Sequence, residues 1–449
     1  MMKRLIIVAW VALFAIPAHA TLKIAAWTLD NGARVLFVEN HSIPMLDVSV
    51  EFDAGSRRDP QGKSGTASLT NAMLGRGLQA GTAAQDEPAL TEAQISDGFA
   101  DIAAQRGGSV GEDSGGVSLR TLSSAAERDA AVLLLARVLA QPSFPADFFA
   151  RDKARTIAGI KEALTKPEFI ASRAFSRVMY GSHPYAMEPT VASVEAVTRE
   201  DLATFHRQHY VGNRAVIAMI GDITRAEADA IARQLTARLP QGAPLPPLPA
   251  VAPLQGQEER IAHPASQSHI LIGAPALARG DPDFFALTVG NYVLGGGGFV
   301  SRLMQEVREK RGLSYSVYSY FEPLAQPGPF QIGLQTSQAQ TGQALKVARE
   351  TLADYLRTGP TEKELQAAKD NLIGGFPLRI DNNRKILANI AVIGFYQLPL
   401  DYLDTWTANV AKVSRADIQA AFQRKVAVDK LATIIVGNAG STGSAGTTK

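Results

Sequence analysis

The sequence predicts an α+β protein of two homologous domains, each a mainly antiparallel sheet packed with helices, joined by a Pro-rich linker. Three observations predict this. The chain has 449 residues, too many for one hydrophobic core. Residues 239–257 (LPQGAPLPPLPAVAPLQGQ) have no helical or strand period and are dense in proline. One helix–strand unit also occurs twice. Val194, Val197-Thr-Arg and Asp201-Leu precede Ala215-Val-Ile-Ala-Met-Ile-Gly221. Val410, Val413-Ser-Arg and Asp417-Ile precede Leu431-Ala-Thr-Ile-Ile-Val-Gly437. The offset of 216 residues from Val194 to Val410 is unchanged at Gly221 and Gly437. In each copy a Thr or Ser is placed to cap a short helix that leads into an apolar strand.

The elements follow in chain order. Residues 1–20 read as a secretory signal peptide: Lys3 and Arg4, the apolar run Leu5 to Ile16, then Ala18-His-Ala20 for cleavage. The run is shorter than the roughly 20 residues of a spanning helix and ends at Pro17. Residues 21–238 form the expected first domain. Val35-Leu-Phe-Val and Leu46-Asp-Val-Ser-Val-Glu-Phe52 alternate as paired strands do, and Ala125 to Leu139 has helical spacing. The linker is 239–257. The second domain, 258–437, opens with the strand Ser268-His-Ile-Leu-Ile-Gly. Residues 438–449 are small and polar and read as a disordered tail.

Composition narrows the function. The formal net charge of +2 rests on Lys3 and Arg4, so cleavage leaves a neutral chain with no global bias toward nucleic acid or anionic membrane. There is no cysteine, which excludes disulfides, thiolate metal sites, cysteine nucleophiles and an N-terminal lipid anchor. The expectation is a soluble periplasmic protein with no membrane association after cleavage.

Two stretches carry chemistry. The first is Ala54-Gly-Ser-Arg-Arg-Asp-Pro-Gln-Gly-Lys-Ser-Gly65-Thr-Ala-Ser-Leu-Thr-Asn-Ala-Met73. It resembles the pitrilysin/insulinase family of zinc peptidases, in which these flanks surround His-x-x-Glu-His. Histidines at i and i+4 share a helix face and hold one zinc, and the glutamate takes a proton from the metal-bound water. Here the three positions are Ser68, Asn71 and Ala72. None replaces its counterpart. The family's third ligand falls near Phe149, where Asp152 is the candidate acid. No metal and no cofactor are therefore expected in this chain. Ser68 has no histidine in the motif to activate it as a nucleophile. His206 and His209 lack a third ligand, and His183-Pro-Tyr reads as a turn.

The second stretch is Leu294-Gly-Gly-Gly-Gly-Phe-Val-Ser301-Arg-Leu-Met-Gln-Glu-Val-Arg308-Glu-Lys-Arg-Gly312-Leu-Ser-Tyr315. Ser301 reads as a helix N-cap, Glu306 with Lys310 as an i,i+4 pair and Gly312 as the helix stop. No Gly-Lys-(Ser/Thr) follows the glycines, so Gly296 and Gly297 read as a flexible turn lining a substrate cleft and not as a phosphate loop. On the residues alone, Arg308 could be a solvated helix residue and Tyr315 an ordinary strand aromatic. The stretch matches the family's C-terminal signature over most of its length. The resemblance implies that Arg308 and Tyr315, seven residues apart, hold substrate and donate to the oxyanion at an active site whose zinc sits elsewhere. Arg302 and Arg311 have no tyrosine at that spacing. It also implies a heterodimer with a homologous His-x-x-Glu-His subunit that carries the zinc, acting on peptides. An inactive structural or peptide-binding scaffold is the alternative.

Overall fold

Strict alternation of apolar residues builds the first sheet. In the segment Met45–Phe52, Leu46, Val48, Val50 and Phe52 are all fully buried on one face. The computed structural model describes residues 22–82 and 86–437. The expected signal peptide and C-terminal tail lie outside the described residues. Strands β1 (Ala25–Thr28), β2 (Arg34–Glu39) and β3 (Met45–Phe52) are followed by a short ribbon, β4 (Gly77–Leu78) with β5 (Leu90–Thr91). With β6 (Gln105–Val110), β7 (Gly115–Leu122) and β8 (Val216–Gly221), the first three make a six-stranded sheet in the order β1-β2-β8-β3-β7-β6.

After the linker, β9 (Gln257–Ala262), β10 (Gln267–Leu277), β11 (Val317–Phe321), β12 (Gly328–Ser337) and β13 (Ala432–Gly437) make a second sheet, ordered β11-β12-β10-β13-β9. The two sheets share one topology. β2-β8-β3-β7-β6 corresponds to β9-β13-β10-β12-β11, with β2/β8 and β9/β13 parallel and the other pairs antiparallel. The α+β class with mostly antiparallel sheets is thus the observed one.

The repeat reaches further back than the sequence motif. Helices Arg199–His209 and Arg415–Lys425 both begin with capping boxes, Thr198 with Asp201 and Ser414 with Asp417. Upstream, the fourteen-residue helices Pro167–Tyr180 and Asn383–Tyr396 stand in the same 216-residue relation at both ends. These two helices are exchanged. The first packs Ala171, Ala174, Phe175 and Met179 onto β13 of the second sheet. The second packs Ile386, Leu387 and Ile390 onto Val38, Ala218 and Ile220 of the first. Each of the larger side chains buried here (Phe175, Met179, Ile386, Leu387 and Ile390) contributes roughly 1.5–3 kcal/mol, so the exchange ties the halves together strongly.

Asp113, 3% exposed, fastens the same junction. Its carboxylate accepts from the Arg57 guanidinium, from the hydroxyls of Tyr185 and Tyr396 at 2.7 Å each, and from the N–H of Ala325 at 2.7 Å. Residues 240–256 contain no helix or strand. Arg58 and His183 each hydrogen-bond to carbonyls of this segment, at Pro246 and Pro249.

Candidate functional site

The degenerate metal motif lies on the helix Thr66–Met73. Gly65 precedes it at φ +105°, a left-handed conformation that favours glycine. Asp59 caps it, its carboxylate accepting from the N–H groups of Gly65 and Ala67 at 2.7 Å each, while burial pushes its pKa up to about 6. Ser68 and Ala72, one turn apart, are exposed on one helix face. Asn71 is buried and already committed: its amide donates to the Gly116 carbonyl at 2.9 Å and to the Tyr210 hydroxyl at 3.1 Å.

These residues do not fit zinc. Ala72 has no donor atom, and Asn71 has neither charge nor freedom. Asp152 is 1% exposed and held in ion pairs by Arg76 (3.3 Å), Arg151 (3.0 Å) and Arg155 (3.5 Å). His206 bonds to the Leu139 carbonyl at 2.7 Å, and burial drives its pKa down to about 4. His209 bonds to the Asp53 carbonyl at 2.8 Å. His183 accepts from the Tyr185 N–H at 3.1 Å. Among the described residues no group of three His, Cys, Asp or Glu could hold a metal ion.

The second stretch differs locally from its expected form. Ser301 does not cap a helix with its side chain: its hydroxyl donates to the Gly298 carbonyl at 2.7 Å. The following segment, Met304–Glu309, is a π-helix. Its wider turn shows at the end, where Gly312 (φ +61°) donates to the Arg308 carbonyl and Leu313 to that of Val307. Both bonds span one residue more than the usual helix-ending pair. The expected flexible turn at Gly296 and Gly297 is also helical: Tyr292–Gly296 is a π-turn, closed by the Gly297 N–H on the Tyr292 carbonyl at 2.8 Å. A side chain at Gly296 would strike Asn291, and one at Gly297 would strike the Tyr292 carbonyl. Short π segments concentrate at functional sites.

This geometry presents three residues together. The Arg308 guanidinium lies over the rings of Tyr315 (4.6 Å) and Phe299 (4.7 Å). Tyr315 is 82% exposed and Phe299 63% exposed. The only ion pair of Arg308 among the described residues is with its neighbour Glu309 at 3.5 Å, and the Tyr315 hydroxyl makes no hydrogen bond there. The other arginines of the stretch are engaged. Arg302 grips Glu364 at 2.7 and 2.8 Å, and Arg311 grips Glu306 at 2.6 Å. Beside Tyr315 a cavity of ≈ 400 Å³ opens on the outer face of the second sheet, lined by Tyr318, Tyr320, Gln331 and Gln335 and walled by Glu168.

Arg308 and Tyr315 are therefore brought together, with Gly296 and Gly297 on the turn leading to them. Ser68, Asn71 and Ala72 sit on a helix of the other half, and among the described residues no hydrogen bond or ion pair joins the two groups. Sequence reasoning missed Phe299. Its signal was the exposed Phe-Val pair directly after four glycines.

The family described as the peptidase M16 inactive domain matches residues 196–372. An uncharacterized zinc protease of Streptomyces coelicolor is 31% identical over 259 residues, 55% of this chain and 55% of that protein. The chain thus spans about half the length of such relatives. The non-peptidase homolog YmxG of Helicobacter pylori is 25% identical over 413 residues, covering 90% and 91% of the two chains. A solved peptidase M16 inactive domain from Pseudomonas fluorescens is 37% identical, with a TM-score of 0.87 over 93% of this chain and 98% of that one. A protease from Helicobacter pylori shares the fold at 17% identity and a TM-score of 0.81. With its altered metal motif, its two-domain fold and these relatives, the chain belongs to the peptidase M16 family, the pitrilysin/insulinase-type peptidases, as a non-catalytic member.

Proposed function

We propose that this chain is the zinc-less subunit of a heterodimeric peptidase of the periplasm. The partner is a homologous subunit with an intact His-x-x-Glu-His motif, which supplies the metal centre, and the substrates are peptides. The observation that carries this reading is the Arg308–Tyr315 pair, a half-buried guanidinium whose one ion pair is with its neighbour Glu309 beside an exposed phenol with a free hydroxyl, in a chain whose own metal motif holds no metal ligands. A guanidinium and a phenol side by side can hold a peptide backbone and donate hydrogen bonds to an oxyanion developing on it. Gly296 and Gly297 let the chain approach closely beside them.

Co-expression tests it. This chain and an exported homologue carrying His-x-x-Glu-His are expected to co-purify as a one-to-one complex that hydrolyses an unstructured peptide. Chelator abolishes that activity, and this chain alone has none. Stable binding without hydrolysis favours an inactive structural or peptide-binding scaffold. Chelator-resistant hydrolysis by this chain alone overturns both.

A further inference from the structure

A second cavity, of ≈ 440 Å³, lies at the junction of the halves beside the Asp113 contact. Arg34, Arg57 and Arg214 from the first half and Arg279 from the second line it. Asp53 is the one carboxylate among its lining residues, and it is already shared by Arg57 (3.0 Å) and Arg58 (2.6 and 2.9 Å). Asp113, behind the wall, also pairs with Arg57, and the lining arginines still outnumber these two carboxylates.

The Nη atoms of Arg214 donate to the Ala243 and Gln208 carbonyls, but other donors of the wall are unused. The Nε atoms of Arg57, Arg214 and Arg279 are buried and have no hydrogen-bond partner among the described residues. Arg57 itself is only 8% exposed. The guanidinium of Arg34 makes no hydrogen bond or ion pair among the described residues. That of Arg279 makes none either: it lies 5.1 Å over the Tyr396 ring, and its positive field acts on Glu322. Like charges that converge in a partly enclosed, low-dielectric space repel, and buried donors without acceptors are costly. One multiply charged oxyanion would relieve both. Guanidinium forks match the oxygen geometry of phosphate in particular.

We propose that this cavity is a binding site for a phosphate-type polyanion, held between Arg34, Arg57 and Arg214 on one side and Arg279 on the other. The ligand is either free inorganic phosphate or the phosphate groups of a larger molecule. Because both halves contribute, its binding stabilises their junction. The site is separate from Arg308 and Tyr315 and stands whether or not the peptidase reading does.

The test uses the full chain in titration calorimetry and thermal unfolding, with sodium phosphate, pyrophosphate and citrate at matched ionic strength. The expected result is saturable binding, tighter for pyrophosphate than for phosphate, with Tm rising as the site fills. Arg34→Gln and Arg279→Gln, neither of which breaks a hydrogen bond or ion pair, should each weaken pyrophosphate binding about tenfold or more, whereas Arg260→Gln should not. Without anion, Arg34→Gln should melt at or above the wild-type Tm, because a like charge has been removed. Tighter binding of pyrophosphate than of phosphate identifies linked phosphates as the preferred source, and the reverse order identifies the free ion. Absence of saturable binding, binding unaffected by both substitutions, or citrate binding as tightly as either phosphate overturns the proposal.

Discussion

The guanidinium of Arg308 lies 4.6 Å from the ring centroid of Tyr315, on a surface where Tyr315 is 82% exposed. An exposed cation–π contact stabilises by only about 0.5–1 kcal/mol. Arg308→Ala and Tyr315→Phe should therefore lower the free energy of unfolding by no more than about 1 kcal/mol in urea titrations. A loss well above that would mean that the pair serves the fold.

The degenerate motif divides into a structural position and two idle ones. Asn71→Ala strands the buried Gly116 carbonyl and Tyr210 hydroxyl and should cost about 1–3 kcal/mol. Ser68→Ala, on the exposed face, should stay within about 0.5 kcal/mol. Equal losses in denaturant unfolding would contradict this division.

Asp113 is the acceptor that joins the halves. Asp113→Ala leaves the buried Arg57 with Asp53 as its one remaining carboxylate and strips two tyrosine hydroxyls and the Ala325 N–H of their acceptor, so about 3–5 kcal/mol of stability should go. Tyr396→Phe removes a single donor from the same carboxylate and should cost about 1 kcal/mol. The ratio of the two losses, read by urea unfolding, is the check.

His206 makes stability depend on pH. Burial lowers its folded pKa to about 4 from an ordinary value of 6.5, so the unfolded chain binds the proton more readily. Its contribution is complete above pH 6.5 and is lost as pH falls from there through about 4, amounting to about 3 kcal/mol. Asp59, raised to about 6, works in the opposite sense, gaining stability as pH falls from about 6. The test is therefore a difference. His206→Gln keeps a donor for the Leu139 carbonyl, and its unfolding free energy should fall less between pH 6.5 and 4 than that of the wild type. Parallel curves would exclude His206 as the source.

Much of this arrangement was legible in the sequence. The repeat at Val194 and Val410 pointed to two related halves, because capping residues and apolar strands leave a local pattern. The lost metal motif was legible residue by residue, since Ala72 cannot bind zinc in any fold. The exchange of helices Pro167–Tyr180 and Asn383–Tyr396 was not, because an apolar helix face does not say which sheet covers it. The π-turn at Tyr292–Gly296 and the π-helix Met304–Glu309 leave no such pattern, since Leu303, Met304 and Val307 suit either winding. The cavity arginines were also invisible: Arg34, Arg57, Arg214 and Arg279 are far apart in the chain, and only the closed junction gathers them.

The central claim is that Arg308 and Tyr315 complete an active site whose metal belongs to another chain. The most direct measurement is kcat/KM for hydrolysis of an unstructured peptide by the complex of this chain with its His-x-x-Glu-His homologue. It should be made with wild-type chain, Arg308→Ala and Tyr315→Phe, each shown to form the complex. Loss of one oxyanion donor should lower it on the order of 10²-fold with assembly intact. An unchanged kcat/KM in both variants would contradict the account.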